Sequence, residues 1–177
     1  MTKRNAMAID TRRCVGCSAC VIACKEENSV PLADFRCWVD DVTRGVYPNL
    51  TMEIQRQSCE QCSDAACVAN CPTGASYYAE GGTVLVDADL CTGCKACIAA
   101  CPYDARYIHP DGYADKCTFC AHRGDRGPAC VAACPTRSLT FGDANDPRSD
   151  IATLLRERQW KQLNAEAGTR PNLYFLI

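Results

Sequence analysis

Short apolar runs alternate with cysteine-rich and turn-rich stretches along this chain. Apolar and polar residues alternate over 5–10, and the run SLTFG at 138–142 is rich in strand-forming residues. The pattern predicts that these two segments pair as the outer strands of one unit. The same reasoning predicts that segments 51–56 and 105–108 pair as the strands of a second unit.

No run approaches the roughly 18 apolar residues of a membrane span, so we expect no segment that spans the membrane directly.

Smaller elements are indicated by turn residues. Residues 75–78 and 83–86 flank the sequence EGG at 80–82, which is typical of a hairpin turn. Segments 68–70 and 98–100 each precede a Cys-Pro pair. We predict a short helical turn at each of them, ended by the proline.

Three stretches lie outside this pattern. Residues 28–50 contain proline and glycine and predict a surface connector. Residues 146–168 predict a helix that Asp146 caps and Gly168 ends. The apolar tail 170–177 is expected either to cover part of this chain or to dock onto a partner subunit. An apolar stripe of Ile151, Leu154, Leu155 and Leu163 is expected to pack this helix against the rest of the chain, the alternative being a face that binds a partner.

Sixteen of the seventeen cysteines form four quartets. The first and third read C-x2-C-x2-C-x3-C, while the middle gap is longer in the other two, and a proline follows the last cysteine of three quartets. This spacing is the bacterial ferredoxin signature, in which thiolates hold four-iron clusters. The quartets are Cys14, Cys17, Cys20 and Cys24; Cys59, Cys62, Cys67 and Cys71; Cys91, Cys94, Cys97 and Cys101; and Cys117, Cys120, Cys130 and Cys134.

The quartets are expected to work in pairs, because in two-cluster ferredoxins the last cysteine of each run ligates the other cluster. The second and third quartets are neighbours and pair naturally, which leaves the first and fourth to pair around them. The sequence therefore predicts an α+β fold of two ferredoxin-like bicluster modules, one inserted within the other, with long connectors and a C-terminal helix and tail. Module A comprises 1–50 and 111–145, module B comprises 51–110, and 146–177 form the helix and docking tail.

Composition supports a fold that depends on its clusters. Hydrophobic residues make up 47% of the chain but aromatic residues only 7%, so an apolar core alone is thin for two modules. We expect the apo-chain to be largely unfolded, because clusters bound only by the folded state stabilise it.

The formal net charge of −2 counts every cysteine as neutral. Four oxidised clusters would bring it to roughly −10. Basic residues beside the quartets are therefore expected to offset cluster charge, and no nucleic-acid partner is predicted. These residues are Arg12, Arg13, Lys25, Lys95, Lys116 and Arg137.

Disulfides and structural zinc are the competing interpretations of so many cysteines. Secreted disulfide domains usually begin with a signal peptide, and residues 1–10 contain no apolar signal segment. Zinc sites usually use paired C-x2-C knuckles, which do not account for the third cysteine of each run or for its spacing to Cys-Pro. Both interpretations are weaker than iron–sulfur ligation.

No second chemistry is apparent. Each quartet is complete, so no cluster would have an open position for substrate, and we predict no catalytic residue and no enzyme activity of the chain by itself. His109 and His122 are expected to be ordinary polar residues, the alternative being a hydrogen bond to a neighbouring cluster. Cys37 lies outside every quartet, and we interpret it as a small buried apolar residue.

With these residues in place, the chain resembles the four-cluster iron–sulfur subunits of molybdopterin oxidoreductases of the dimethyl sulfoxide reductase class. The cysteine pattern is specific for this class of subunits, and the sequence strings that flank the cysteines indicate the polysulfide and thiosulfate reductase branch. Lys25, in place of a proline, and the extra Cys37 are departures. The matching strings are AMAIDTRRCVGCSACVIACKEEN at 6–28, CPTGASY at 71–77, CIAACPYDARYIHP at 97–110, KCTFCAHR at 116–123 and GTRPNLYFL at 168–176.

The resemblance implies four ligand sets for four [4Fe–4S] clusters. Each set combines three cysteines of one quartet with the last cysteine of another. Set one, nearest a catalytic subunit, would be Cys14, Cys17, Cys20 and Cys134; set two would be Cys117, Cys120, Cys130 and Cys24; set three would be Cys59, Cys62, Cys67 and Cys101; and set four, nearest the membrane, would be Cys91, Cys94, Cys97 and Cys71.

The resemblance also implies partners. In that family the subunit relays single electrons between a molybdopterin catalytic subunit and an integral membrane quinone-binding subunit. Such complexes often face the periplasm. A subunit without its own export signal would reach the periplasm bound to a catalytic partner that is exported. The cytoplasmic face of the membrane is the alternative location. The alternative function is a free soluble polyferredoxin that shuttles electrons between enzymes. Polysulfide, thiosulfate, tetrathionate and arsenate complexes all use similar subunits.

Overall fold

The largest sheet of the molecule joins the two ends of the chain. The computed structural model describes residues 2–177, a mixed α/β chain with small sheets and short helices. The strands are β1 Asn5–Asp10, β2 Cys37–Val46, β3 Asn49–Ser58, β4 Ser76–Tyr78, β5 Val84–Val86, β6 Tyr107–Ile108, β7 Ala114–Asp115, β8 Leu139–Asp143, β9 Trp160–Lys161 and β10 Leu173–Leu176. The α-helices are α1 Ala19–Asn28, α2 Ala66–Ala69, α3 Ala96–Ala99, α4 Ala129–Ala132 and α5 Asp150–Glu157, and 3₁₀ turns lie at Glu80–Gly82, Ala121–Arg126 and Ala165–Ala167.

The largest sheet has the strand order β8-β1-β10-β9. β1 pairs antiparallel with β8, with Ala8 opposite Thr140, which confirms the predicted pairing of 5–10 with 138–142. On its other side β1 pairs in parallel with β10. The end of the tail is therefore an inner, buried strand of the chain's own sheet. Of the two roles expected for the tail, this part covers its own chain and is not free to dock onto a partner.

The two faces of this sheet serve different cores, because successive side chains of a strand point to opposite sides. Met7 and Phe175 enter the larger core, which also contains cysteines of the second and fourth quartets. Ala8 and Tyr174 pack on the other face against Ile151 of α5. The sheet thus separates a cysteine-rich side from a helix-covered side.

A long antiparallel hairpin replaces the predicted connector at 28–50. β2 and β3 pair from Cys37 opposite Ser58 to Val46 opposite Asn49. The predicted pairing of 51–56 with 105–108 is wrong, because 51–56 belongs to this hairpin. β6 pairs instead with β7. The pattern concealed β2 because half of this strand is solvent-exposed and an aspartate interrupts the apolar residues on each of its two faces, so neither face is continuously apolar.

The small predicted hairpin is confirmed. β4 pairs with β5, with Tyr77 opposite Leu85, and the 3₁₀ turn at 80–82 joins them. Gly81 is required in this turn for two reasons. Its φ is +70°, and a Cβ there would lie 2.5 Å from the side-chain amide of Asn5 on β1. The turn therefore packs closely against the first strand of the large sheet.

The predicted helix at 146–168 is much shorter than expected. α5 spans only 150–157, and Ser149, not Asp146, caps it by accepting a hydrogen bond from the Ala152 N–H at 3.1 Å. Gly168 follows a separate 3₁₀ turn, so it does not end α5. The predicted packing of Ile151, Leu154 and Leu155 is confirmed, whereas Leu163 packs against the opposite core.

Three four-residue helices carry the third cysteine of quartets two, three and four. α2 and α3 confirm the helical turns predicted at 68–70 and 98–100, each starting two residues earlier than expected. Within residues 2–177, no helix combines the length and apolar character needed to cross a membrane. The insertion of module B within module A stays a prediction.

Phe175→Ala should lower the free energy of unfolding by about 3–5 kcal/mol, because truncating a fully buried ring leaves a cavity in the core. The measurement is the denaturant concentration at which the anaerobic holo-protein loses its visible absorbance. Ile177→Ala is the control, since Ile177 is 39% exposed, and it should cost about 0.5 kcal/mol or less. Equal shifts in the two variants would mean that β10 does not contribute to the core.

Candidate metal centres

Three cavities are each lined by four cysteines. Each cavity takes three cysteines from one quartet and the last cysteine of a different quartet, and the groupings coincide with sets one, three and four. The first is lined by Cys14, Cys17, Cys20 and Cys134, the second by Cys59, Cys62, Cys67 and Cys101, and the third by Cys71, Cys91, Cys94 and Cys97.

Of the other four quartet cysteines, Cys24 lies on α1 and Cys130 on α4, and these two helices pack against each other. Asn28 connects two of these four cysteines, because its Nδ2 atom lies 3.7 Å from the Sγ atoms of both Cys24 and Cys120. Cys117 and Cys130 belong to one core cluster. All four are buried, in contrast to the cavity-lining cysteines, several of which are partly exposed. This grouping coincides with set two.

Backbone N–H groups point at the sulfur atoms of two cavity cysteines. The Ser138 N–H donates to Cys134 Sγ at 3.3 Å, and the Ser76 N–H donates to Cys71 Sγ at 3.4 Å. Burial opposes ionisation of both thiols, but these hydrogen bonds and nearby hydroxyls outweigh it and lower the pKa of Cys134 and Cys71. The thiolate is the form that binds metal, so these donors favour ligation.

The inner cysteines have the opposite tendency. Burial raises the pKa of Cys59 and of Cys130 to about 12, and the pKa of Cys62 to about 11. At neutral pH these side chains are thiols in the apo-chain. A metal that binds there must displace their protons, which couples its binding to proton release.

Three basic side chains are buried among the cysteines. Arg56, Arg106 and Lys116 expose 1%, 5% and 0% of their surface. Among the ion pairs of residues 2–177, none joins one of these three cations to a carboxylate. The buried Glu60 lines the set-three cavity, but burial raises its pKa to about 8, so it is largely protonated at neutral pH. An uncompensated buried cation costs several kcal/mol, so an anionic partner is needed.

The contacts of the two arginines indicate where that anion belongs. Arg56 Nη2 donates to Cys130 Sγ at 3.6 Å, and Arg106 Nη2 donates to Cys67 Sγ at 2.9 Å. The Nε–H groups of both arginines are buried and find no acceptor in the described part of the chain. Thiolates and the sulfides of a four-iron cluster would supply the negative charge and the acceptors that these cations lack. The residues therefore fit such a group.

A single zinc ion fits these sites less well. Zinc–sulfur bonds of about 2.3 Å in a tetrahedron place the sulfur atoms roughly 4 Å apart. Across residues 2–177, no three His, Cys, Asp or Glu side chains converge closely enough to hold one metal ion. The cysteines instead line shared cavities in groups of four, which suits a group that is bound by four separated thiolates.

The histidines lie outside the cysteine cavities, as expected for ordinary polar residues. The His109 ring stacks on Tyr113 with its centroid 4.6 Å away. His122 Nε2 lies 2.9 Å from a carboxylate oxygen of Glu27. Hydrogen bonding to Glu27 by His122 and Arg123 lowers the pKa of that carboxyl group, despite its slight desolvation.

Cys37 is a small buried residue, which confirms its interpretation. It is 1% exposed and packs with Val21 and Cys24. Its Sγ lies 3.7 Å from the carbonyl oxygen of Cys20. It lines none of the three cysteine cavities.

The sequence located only one of the three buried cations. Lys116 was among the six basic residues expected to offset cluster charge, whereas most of the others are exposed. Arg56 was missed, although it continues the alternate positions Leu50, Met52 and Ile54 of β3, where a further apolar residue is expected. A charged residue at a position where an apolar residue is expected was the feature of the sequence that could have identified Arg56. Arg106 carries no comparable signal.

Two family models match the chain. One, described as a 4Fe-4S dicluster domain, matches residues 50–144, more than half of the chain. The other, described as a 4Fe-4S binding domain, matches residues 11–27. Together they include all four quartets.

The chain is similar over nearly its whole length to several known proteins. It is 45% identical to a polysulfide reductase chain of Wolinella succinogenes, over 99% of this chain and 95% of that protein. It is 43% identical to a tetrathionate reductase subunit of Salmonella typhimurium, over 98% of this chain and 72% of that protein. A protein NrfC homolog of Haemophilus influenzae is 47% identical, over 98% of this chain and 80% of that protein.

Proposed function

The chain belongs to the iron–sulfur subunits of molybdopterin oxidoreductases of the dimethyl sulfoxide reductase class, and from this we propose that it is a non-catalytic electron-transfer subunit with four [4Fe–4S] clusters. In this proposal it relays single electrons between a molybdopterin catalytic subunit and a membrane quinone-binding subunit. The observation that carries the proposal is the grouping of twelve cysteines around three cavities, with the other four buried close to one another near α1 and α4. A four-iron cluster with four thiolate ligands exchanges one electron and has no open position for substrate.

Each set of cysteines is proposed to hold one cluster, with the membership implied by the resemblance. Sets one and two combine the first and fourth quartets, and sets three and four combine the second and third. This exchange supports the nested arrangement in which module B, 51–110, is inserted within module A, 1–50 and 111–145.

The exposure of the cysteines supports an order of sets from one to four. Of the seventeen cysteines, Cys17 and Cys94 alone are exposed. Cys17 belongs to set one and Cys94 to set four, whereas every member of set two is buried. Electrons that enter and leave through partner subunits need an accessible site at each end and shielded sites between them. Exposure marks sets one and four as the two ends, and the resemblance then assigns set one to the catalytic subunit and set four to the membrane subunit.

An exposed apolar stripe favours an obligate subunit over a free polyferredoxin. Leu50, Met52 and Ile54 lie on one face of β3, since they occupy alternate positions. Leu50 and Met52 are 52% and 65% exposed. Ile54 reaches the set-one loop, where its Cδ1 atom would lie 3.4 Å from a Cβ at Gly16. An apolar surface that starts at a metal site and runs out along a hairpin is typical of a subunit interface.

The partners and location complete the proposal. The catalytic subunit docks on the stripe of Leu50, Met52 and Ile54, and the membrane quinone-binding subunit docks at the set-four end. The complex is proposed to face the periplasm through export together with the catalytic subunit. Similarity to polysulfide and tetrathionate reductase proteins supports a sulfur-compound reductase as the parent complex.

The proposed ligand exchange is tested by Cys24→Ser. The wild-type protein should contain about sixteen iron and sixteen sulfide ions per chain. Cys24→Ser should perturb the cluster of set two and leave that of set one largely intact, although Cys24 belongs to the first quartet. Electron paramagnetic resonance of the reduced protein measures both.

Cys37→Ala is the matched control for that variant, because Cys37 is buried beside Cys24 and belongs to no set. It should change neither the iron content nor the spectra. Loss of the set-one signal in Cys24→Ser, or of iron in Cys37→Ala, would contradict the assignment. Stoichiometric zinc in the wild-type protein would contradict the proposed function altogether.

The direction of the relay is tested by Cys94→Ser in the whole complex. Losing one ligand of set four alters the potential of its cluster, because ligand type and net charge both determine it. Quinol-linked activity should therefore fall, while activity with an artificial donor to the catalytic subunit should remain. If both activities fall although the complex is assembled and the other three clusters are intact, set four does not lie at the membrane end.

The docking surface is tested by Met52→Glu, which places a charge in the middle of the stripe. The variant should bind its catalytic subunit about tenfold or more weakly, since a charge in the core of an apolar interface is left without a partner. Copurification and size-exclusion chromatography measure this. Leu90→Glu is the control, because Leu90 is 53% exposed but adjoins Cys91 of set four. A catalytic subunit released equally by both variants would argue against docking at the hairpin.

A further inference from the structure

We propose that one buried cation occupies each gap between consecutive metal sites and sets the reduction potentials of the two clusters that flank it. Arg56 lies between sets one and two, Lys116 between sets two and three, and Arg106 between sets three and four. This inference rests on the proposed four-cluster function. In this inference the three side chains shift the reduction potentials of the clusters without being ligands themselves.

Arg56 contacts both members of the first pair. It lines the cavity that contains set one, and its Nη2 donates to Cys130 Sγ of set two at 3.6 Å. Its Nη1 donates to Ser58 Oγ at 2.6 Å, which fixes the direction of the guanidinium group. The unpaired Nε–H leaves one strong donor for an acceptor at the metal sites.

Arg106 repeats this arrangement at the other end. It lines the cavity of set three, and its Nη2 donates to Cys67 Sγ of that set at 2.9 Å. Its Nη1 donates to Ser76 Oγ at 2.8 Å, and the Ser76 backbone N–H donates to Cys71 Sγ of set four. Its Nε–H is also buried and unpaired among residues 2–177. Both arginines thus join two sets and fix their guanidinium groups on a serine hydroxyl.

Lys116 lies between the two pairs. Its Nζ donates to the carbonyl oxygen of Cys117, a set-two residue, at 2.8 Å, and to that of Val84. Val84 lines the cavity of set three. Gln61 makes the same connection, because its side chain accepts from the Val84 N–H at 2.7 Å and donates to the Cys117 carbonyl at 2.6 Å. The middle gap therefore holds one buried lysine within a hydrogen-bonded bridge. Burial lowers the pKa of Lys116, and the negative charge of thiolates at Cys59 and Cys117 opposes that shift.

The location of these cations determines their effect. Reduction adds one negative charge to a cluster, and a nearby positive charge stabilises the reduced form. The effect is strong for a fully buried cation and weak for an exposed one, which water and salt screen. Arginine keeps its charge in this environment because its guanidinium group is not deprotonated in proteins. A buried cation therefore raises the potentials of its own two neighbours more than those of distant clusters.

The test is a potentiometric titration of the whole complex, with each cluster followed by electron paramagnetic resonance. Signals are assigned with single-ligand variants such as Cys24→Ser. In Arg56→Gln, the clusters of sets one and two should each become about tenfold harder to reduce, which is 59 mV for a one-electron couple. Sets three and four should be unchanged. Arg106→Gln should give the reverse pattern, and Lys116→Met should move sets two and three.

Two further variants separate charge from packing. Arg148→Gln removes the same charge from a side chain that is 90% exposed and should move no potential. Arg56→Lys keeps the charge and should recover most of the shift seen in Arg56→Gln. If Arg56→Gln fails to assemble sets one and two while Arg56→Lys assembles them, the required property is charge, as proposed. If neither assembles them, Arg56 acts through packing and the inference is overturned.

The remaining outcomes also support or contradict this inference. Four intact clusters with unchanged potentials in Arg56→Gln and Arg106→Gln would overturn this inference and leave the proposed function standing. Equal shifts of all four clusters would overturn it as well, because they would reflect net charge and not position. A wild-type chain with fewer than four clusters would instead contradict the proposed function.

Discussion

The exchange of the last cysteine between quartets is the constraint on which the rest of the structure depends. Cys134 lines a cavity with the first quartet, and Cys24 meets the fourth, so α1 and α4 must pack together. Cys101 and Cys71 are exchanged in the same way between the second and third quartets. Each cavity can form only when two distant parts of the chain meet. Metal binding and tertiary folding are therefore expected to be one event.

The same constraint explains why so few large apolar residues are needed. The larger core packs Met7 and Phe175 together with cysteines of three sets, which occupy positions that apolar side chains would otherwise fill. Its polar content is also unusual, because Arg56 and Lys116 are fully buried beside these cysteines. Such cations would be strongly destabilising in an ordinary apolar core. They become favourable only beside negative charge, so the core and the proposed clusters are electrostatically interdependent.

The sequence predicted what fixed spacing and local pattern determine. The quartets follow from a strict motif and the hairpin of β4 and β5 from residues close together, while β1 and β8, although distant in sequence, are each marked by a strand pattern of their own. Segment 51–56 of β3 was predicted as a strand, but its partner β2 was missed because an aspartate interrupts the apolar residues on each face of β2. The helix at 146–168 was overextended mainly at its end, because the backbone becomes extended at Arg158 and then forms β9 and a separate 3₁₀ turn before Gly168. Arg106 is buried through contacts with residues distant in sequence, so nothing local marks it.

The C-terminal segment fixes the two halves of the relay relative to each other. β10 is an inner strand of the sheet beside sets one and two, while the residues before it bond to the set-three loop. The Asn172 N–H donates to the Glu60 carbonyl at 2.8 Å, and the Ser63 N–H donates to the Arg170 carbonyl at 2.9 Å. Tyr103 also hydrogen-bonds Thr169 at 2.6 Å beside the set-three cavity. Because these bonds are largely between backbone groups, they depend little on side-chain identity and hold the two halves at a fixed separation. A relay of single electrons needs that separation to be constant, so a tail that looks peripheral in the sequence becomes part of the path's geometry.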